Sequence, residues 1–506
     1  MAAASARRDI AQPAADFKMK IFDKYQYEIL IALAAFLACC VSLINDFHTD
    51  DWVVLNLMRD GFSWNEFLSM ENPGRFRPLT NILVWFRYVL FGDNAAAYYA
   101  LNILLHMSFC VLLYRFLVKV GLSARQAFLS AIIFAVYFQH YEAVLWLYGS
   151  IRILAGFFWI VSLWALHDYL LEGSRKSFVK FSAISFLGLF VVEDFVVAPI
   201  AFIAFSLLFS AGPTRTGRLW PVVVSGLAGL AIYLSLRISL ITRPSITEDY
   251  YYPGFHIVWK LWEYLQWMMI PSPHHSYFAG FAAKLGLSVS SAWNGVSIIA
   301  GIALLAGLVY ALIKSGRLMR FFIIMMLVAL IPALPLDYKV SSRNIYIPSI
   351  GFAVMAGFLV SRLLDRIGEW GRARIAFCGA FVAYLTINIT AVWITSFEYR
   401  RNQTLVAEMI ADLGNSGIEL KMYEYVLLDH LPGRTIVGPA MIYRLNFHND
   451  VIASNDPTAG PVDIVAAAKD LSSIELPFVV FDYREGHLIE ATGDYLQSDG
   501  NLLKGR

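Results

Sequence analysis

The sequence predicts a mainly α-helical, polytopic membrane protein with about eleven transmembrane helices, a few interfacial helices, and a small α/β domain at the carboxyl end. Three observations predict it. Hydrophobic residues fill 58% of the 506 positions and charged residues only 15%, against about 25% charged in an ordinary soluble chain. Apolar runs able to cross about 30 Å of hydrocarbon recur up to residue 396. Lys and Arg collect in alternate loops, as short cytoplasmic loops require.

In chain order the spans fall near 27–46, 96–118, 124–140, 148–170, 178–192, 195–210, 219–240, 291–313, 318–336, 345–363 and 374–396. Arg7, Arg8, Lys18, Lys20 and Lys24 precede the first span. Lys119/Arg125, Arg175/Lys176/Lys180, Arg215/Arg218, Lys314/Arg317/Arg320 and Arg362/Arg366/Arg372/Arg374 fall on the same side. The amino terminus is therefore expected in the cytoplasm. An odd span count then puts the carboxyl-terminal tail outside, in the periplasm or a lumen, with a bacterial inner membrane favoured. The polar tail of more than two dozen residues ahead of the first span does not read as a cleavable signal peptide. Cys39, Cys40, Cys110 and Cys378 all lie in apolar segments and offer no disulfide framework. A net charge of +2 gives no basic field for nucleic acid.

Two loop stretches read as helices lying on the membrane. In "RPLTNILVWFRYVLFG" the residues Leu79, Ile82, Leu83, Phe86 and Leu90 recur at helical spacing, with Asn81 and Arg87 off the stripe. Pro78 suits its first turn. "HIVWKLWEYLQWMMI", near 256–270, carries three Trp and a Tyr and reads as an anchor at headgroup level. The domains expected are 1–396, within the membrane, and 397–506, where "YEYVLLDH" and "LPFVVFDY" read as buried strands and "TLVAEMIADLG" and "VDIVAAAKDL" as helices. "NQT" at Asn402 is a glycosylation sequon that matters only in a compartment that uses it.

Asp50 and Asp51 stand together just past the first span, in "FHTDDWVVLN". Carboxylates at a membrane edge are expensive unless water, a cation or a substrate meets them. Arg75 and Arg77 in "GRFRPL", Glu142 in "FQHYEAVLW", Glu193 and Asp194 in "VVEDFVV", and Arg343 in "SSRNIYIPS" are expected on the same face. Such a set suits group transfer from a lipid phosphate. Guanidinium forks match phosphate oxygens, and a carboxylate can take the proton of an attacking hydroxyl. No GxxxxGK[ST] loop, H-E-x-x-H or C-x-x-C is present, so nothing in the sequence supports nucleotide-driven or zinc chemistry. No cofactor is called for; a divalent cation is compatible with the carboxylates but not indicated.

The order "DD", "FRPLTNILVWFRYVLFGDNAAAYYALNILLH", "HYEAVLWLYGSIRILAGFFWIVSLW", "VVEDFVVAPI", "SSRNIYIPSIGF" resembles the GT-C glycosyltransferases over most of residues 40–360. The branch most similar is that of the protein O-mannosyltransferases and the transmembrane O-mannosyltransferases with tetratricopeptide repeats. The tail lacks those repeats, and "VVED" stands where that branch commonly has a Lys-Glu pair. The resemblance implies a polyprenyl-phosphate sugar as donor, a hydroxyl acceptor on protein, glycan or lipid, and inverting transfer at the external face. An acid of the first external loop is then the general base: Asp50 by position, or failing that Asp51. Arg343 matches the family's phosphate-side position in "SxRxxYxPS", with Tyr346 in the same motif.

His106 and Asn102, one turn apart in "LNILLH", fit interhelical hydrogen bonding, although His106 also counts among the substrate-side candidates. His274 and His275 are adjacent and so point apart, which is poor for a shared metal. Arg152 fits either a phosphate contact or a headgroup anchor. Two rivals share the general features: a transporter or lipid-linked-sugar flippase, and a polymerase or ligase using a diphosphate-linked donor. The halves show no repeat of the kind many transporters carry.

Overall fold

The structure is a computed structural model. It describes residues 25–48, 50–59, 76–209, 215–240, 254–270, 290–336, 340–367, 371–431, 438–445, 450–454, 463–473, 476–484 and 486–497. Arg75, His274, His275 and the basic residues ahead of the first span lie outside them.

The chain is mostly helical. In order the helices are α1 (Tyr25–Ile44), α2 (Asp50–Arg59), α3 (Pro78–Phe91), α4 (Ala95–Lys119), α5 (Ala124–Val136), α6 (Tyr141–Val144), α7 (Ile151–Glu172), α8 (Arg175–Gly188), α9 (Ala198–Phe209), α10 (Arg215–Leu240), α11 (His256–Met269), α12 (Ser290–Lys314), α13 (Arg317–Leu330), α14 (Pro348–Ile367) and α15 (Arg372–Asn415). Among the described residues six helices are individually long and apolar enough to cross a membrane, or seven if the bent pair Ala124–Val136 and Phe138–Val144 counts as one span. All eleven apolar segments contain helix. Four of them hold α8, α9, α13 and α14, of 14, 12, 14 and 20 residues. At 1.5 Å per residue the 12-residue α9 is about 18 Å long, well short of the hydrocarbon thickness. The last of these, α14, has Arg362, Asp365 and Arg366 in its final turns.

The molecule divides into two units. The first comprises Met1–Leu43, Ser63–Arg87 and Ala97–Thr395; the second comprises Ile44–Phe62, Tyr88–Ala96 and Ser396–Arg506.

In the first unit a continuous apolar core runs through α4, α5, α7, α9, α13 and α14, with Phe109, Phe134, Trp159, Phe205, Phe322 and Tyr346 fully buried. Packing between membrane helices relies on close backbone approach at small residues. At Gly357 of α14 an added Cβ would lie 2.5 Å from the backbone nitrogen of Ser130 in α5, so only glycine fits this crossing. The helix α3 turns its polar side inward. Thr80, Asn81, Val84 and Arg87 are buried, whereas Ile82 and Phe86, from the apolar stripe, are exposed. That is the polarity of a helix that meets lipid on one side and a polar site on the other. Its first turn is tied to the chain at 190–191: Leu79 N donates to Phe190 O at 3.1 Å, and Thr80 Oγ1 to Val191 O at 2.6 Å.

In the second unit α15 is followed by strands β1 (Tyr425–Asp429), β2 (Asp450–Ala453), β3 (Phe478–Arg484) and β4 (His487–Glu490), with the short helices α16 (Gly438–Leu445), α17 (Ile464–Ser473) and α18 (Thr492–Gln497). The sheet order is β2-β1-β3-β4. The first three strands are parallel, with Leu427 paired to Ile452 and to Val480, and β4 runs antiparallel to β3. Parallel strands are covered on their faces and read as continuous apolar runs, as "YVLL" and "FVVF" do. Leu427, Ile464, Ala468, Val480 and Tyr495 form its core.

Candidate functional site

Two short 3₁₀ turns and the segments around them bring the polar residues of the first unit together. The turn Glu193–Val197 lies between α8 and α9 and opens on its two acids. Each acid takes a different arginine. Arg77, just ahead of α3, donates from Nε to Glu193 Oε2 at 2.5 Å, and its guanidinium lies 5.7 Å from the ring centre of Tyr148. Arg152, in the first turn of α7, pairs with Asp194. Both arginines are buried. Burial alone would pull the Arg77 guanidinium down, but the negative charge of Glu193 and its hydrogen bond to Arg77 outweigh it and hold its pKa above the ordinary value.

Arg152 also links these pairs to the turn Ser342–Ile345. Its Nη2 donates to Asn344 Oδ1 at 3.0 Å, and Asn344 Nδ2 donates to the Tyr264 hydroxyl of α11 at 3.0 Å. Glu142, at the start of α6, clamps the same turn from the other direction. Its Oε2 accepts from Ser341 Oγ at 2.5 Å and from the backbone N–H of Arg343 at 2.8 Å. The Arg343 guanidinium then lies 5.1 Å from the ring centre of Trp146, a distance suited to a cation–π contact. Arg77, Glu142, Arg152, Glu193, Asp194 and Arg343, singled out separately in the sequence, therefore belong to one network.

The hairpin that carries Glu142 depends on Gly149. A Cβ there would sit 1.8 Å from the carbonyl oxygen of Glu142. Gly149→Ala is expected to cost at least the ~1–3 kcal/mol of ordinary overpacking and to loosen the Glu142 clamp. A thermal melt of the purified variant checks this, and an unchanged midpoint would refute it.

His106 and Tyr346 are fully buried and bonded to each other. His106 Nε2 faces the Ala135 carbonyl at 3.0 Å and so must carry the proton, which leaves Nδ1 to accept from the Tyr346 hydroxyl at 2.9 Å. Next to it, Ser349 Oγ donates to Tyr346 O, so His140 Nε2 donates to Ser349 at 2.8 Å. These bonds fix the entry to α14, directly after the Arg343 turn. They are interhelical links, as are those of Asn102, whose amide donates to the Val144 and Trp146 carbonyls at 3.3 and 3.2 Å.

Asp50 opens α2 in the second unit, and Asp51 follows it. Asp51 is buried, and its Oδ2 accepts from the His48 backbone N–H at 3.0 Å. An acid reaching back three residues to an N–H ahead of the helix is the backward half of a capping box. Among the described residues no three His, Cys, Asp or Glu side chains gather as a metal site would.

Residues that the sequence reading left unnamed also take part. Trp146 and Tyr148 follow directly on Glu142, and their position beside it was the available signal. Asn344 neighbours Arg343 in the same motif. Tyr264 lay within the stretch read as an anchor; Trp259 on that helix is indeed exposed, but Tyr264 is buried and reaches Asn344.

In sequence, no family model matches the chain, and no curated protein does. In structure it is similar to an oligosaccharyltransferase of Archaeoglobus fulgidus, crystallised with an acceptor peptide containing the NVT sequon tethered by a disulfide bond. The TM-score is 0.53 at 12% identity, over 91% of this chain and 69% of that one. The fold is similar to that of this oligosaccharyltransferase. At that identity the likeness speaks for the fold. Within this fold the Arg and carboxylate network just described is built from this chain's own residues.

Proposed function

We propose that the chain is an integral-membrane glycosyltransferase that moves a sugar from a polyprenyl-phosphate-linked donor to a hydroxyl acceptor. About eleven crossings, a cytoplasmic amino terminus and an external carboxyl-terminal domain complete the reading. The observation that carries it is the network that ties Arg77, Arg152 and the Arg343 turn to Glu193, Asp194 and Glu142, within a fold of oligosaccharyltransferase type. Such a network holds guanidinium groups in fixed orientation, as recognition of a phosphate requires.

Each part has a chemical task. Arg343, its backbone clamped by Glu142 and its guanidinium laid on Trp146, meets the donor phosphate. Asp50 accepts the proton of the acceptor hydroxyl as its oxygen attacks the anomeric carbon. The bond from that carbon to the phosphate oxygen breaks, the configuration inverts, and the phosphate leaves with its negative charge facing the arginine. Arg75 is assigned to the same phosphate side.

The test is transfer by the purified full-length protein, first from polyprenyl-phosphate sugars and then from diphosphate-linked glycans, with a hydroxyl-bearing peptide as the first acceptor. Product from the monophosphate donor supports the proposal. Product from the diphosphate alone would make the protein a polymerase or ligase. No product from either, with lipid-linked sugar crossing a proteoliposome membrane, would make it a transporter. Arg343→Ala is expected to lower donor use by about 10- to 100-fold, the equivalent of a hydrogen bond to a charged group. Arg343→Lys should lose less, since it keeps the charge without the planar fork. Wild-type turnover by a folded Ala variant would move the phosphate assignment to Arg75, Arg77 or Arg152.

A further inference from the structure

Three arginines are buried among the described residues, Arg77, Arg87 and Arg152. Arg77 and Arg152 each meet a carboxylate. Arg87, on α3 and only 5% exposed, meets none among the described residues. Its Nη1 donates to Ser150 Oγ at 2.7 Å and to Asn102 Oδ1 at 3.4 Å. Both partners are neutral, and both are otherwise committed to backbone carbonyls. Ser150 donates its own proton to Leu147 O at 2.9 Å, and the Asn102 amide serves Val144 and Trp146. Nε and Nη2 of Arg87 have no hydrogen-bond partner among the described residues. Burial pulls the guanidinium down to about 10, which leaves it charged at neutral pH. A buried cation without a counter-charge is strongly unfavourable, and in a membrane protein it marks a place where an anion is met.

The neighbouring surface says what kind of anion. Leu83, one turn ahead of Arg87 on the same side of α3, is half-buried and apolar. A ligand that puts a phosphate beside a fixed guanidinium and a hydrocarbon chain along an apolar helix face is a lipid phosphate. We propose that Arg87, held by Ser150 and Asn102, is the cation of a lipid-phosphate site on α3, distinct from the phosphate contact assigned to Arg343. A phospholipid headgroup and a polyprenyl monophosphate share this chemistry. The site stands independently of glycosyl transfer.

The test is the unfolding midpoint of the full-length protein in detergent, titrated with phosphatidylglycerol, polyprenyl monophosphate, phosphatidylcholine or inorganic phosphate. Wild-type protein should be stabilised by at least one of the two anionic lipids, which names the source, and less by phosphatidylcholine. Arg87→Gln should lose that stabilisation and Arg87→Lys should need about tenfold more lipid, while Arg343→Ala keeps the response to phosphatidylglycerol. If the Gln variant does not fold, the Lys variant and native mass spectrometry of Arg343→Ala decide, the expected result being one retained anionic lipid. An equal response from wild type and Arg87→Lys, an equal response to phosphatidylcholine, or full reproduction by inorganic phosphate would each overturn the proposal.

Discussion

Asp50→Asn is expected to lower single-turnover sugar transfer by about 100- to 10,000-fold, the range of lost base catalysis, with donor binding retained. The side chains are nearly isosteric, but the amide cannot take the acceptor's proton. The structure sharpens the comparison with the neighbouring acid. Asp51 already serves the His48 N–H ahead of α2, and an Asn oxygen can accept that bond as well, so Asp51→Asn should transfer sugar at close to the wild-type rate. Asp51→Ala removes the acceptor and should cost about 0.5–2 kcal/mol of stability, as other lost caps do. Normal transfer by both Asn variants, measured beside donor binding on the same samples, would leave the pair without a catalytic part and remove the base from the proposed mechanism.

The second large effect concerns the Arg77–Glu193 pair, whose side chains are 10% and 13% exposed. Removing one member of a buried pair strands the other charge, at a cost of about 3–5 kcal/mol. Arg77→Met alone should therefore fall sharply in unfolding midpoint. The double variant Arg77→Met/Glu193→Leu removes both charges and should recover most of that loss. Transfer activity should stay low in the double variant, because apolar side chains cannot orient a phosphate. If the double variant is both stable and active, the pair only holds α3 to the Glu193 turn. If the single variant is as stable as the parent, the pair is not a desolvated one.

The same pair shows how far a linear reading reaches. The adjacency of Glu193 and Asp194 and the basic character of "GRFRPL" were visible, but which acid meets which arginine was not, since 116 and 42 residues separate the partners. The stripe on α3 was visible, but its direction was not: a membrane helix offers apolar side chains to lipid as readily as to a core. On α11 the aromatic residues were read together as a headgroup anchor. Trp259 stays exposed while Tyr264 turns inward to Asn344, a choice set by neighbours more than seventy residues away. The span count rests on hydropathy, which adds apolar residues across the breaks that end α8 and α13 and the turn that precedes α9. The strands of the second unit were easier to place, as short apolar runs of β-branched and aromatic residues, and "YEYVLLDH" and "LPFVVFDY" form the adjacent strands β1 and β3.

On α4, Asn102 and His106 stand one turn apart and face different partners: Asn102 the carbonyls at 144 and 146, His106 the hydroxyl at 346 and the carbonyl at 135. A one-residue insertion ahead of Asn102 would turn the following helix by about 100° and advance it by about 1.5 Å. Both side chains would leave their partners together. The helix is thus keyed at two teeth into separate parts of the bundle, and the register of one segment is enforced at two places at once. Evolution can lengthen α4 at its ends, but it cannot slip the middle by a single position without unlocking the Glu142 hairpin and the Arg343 turn in the same step.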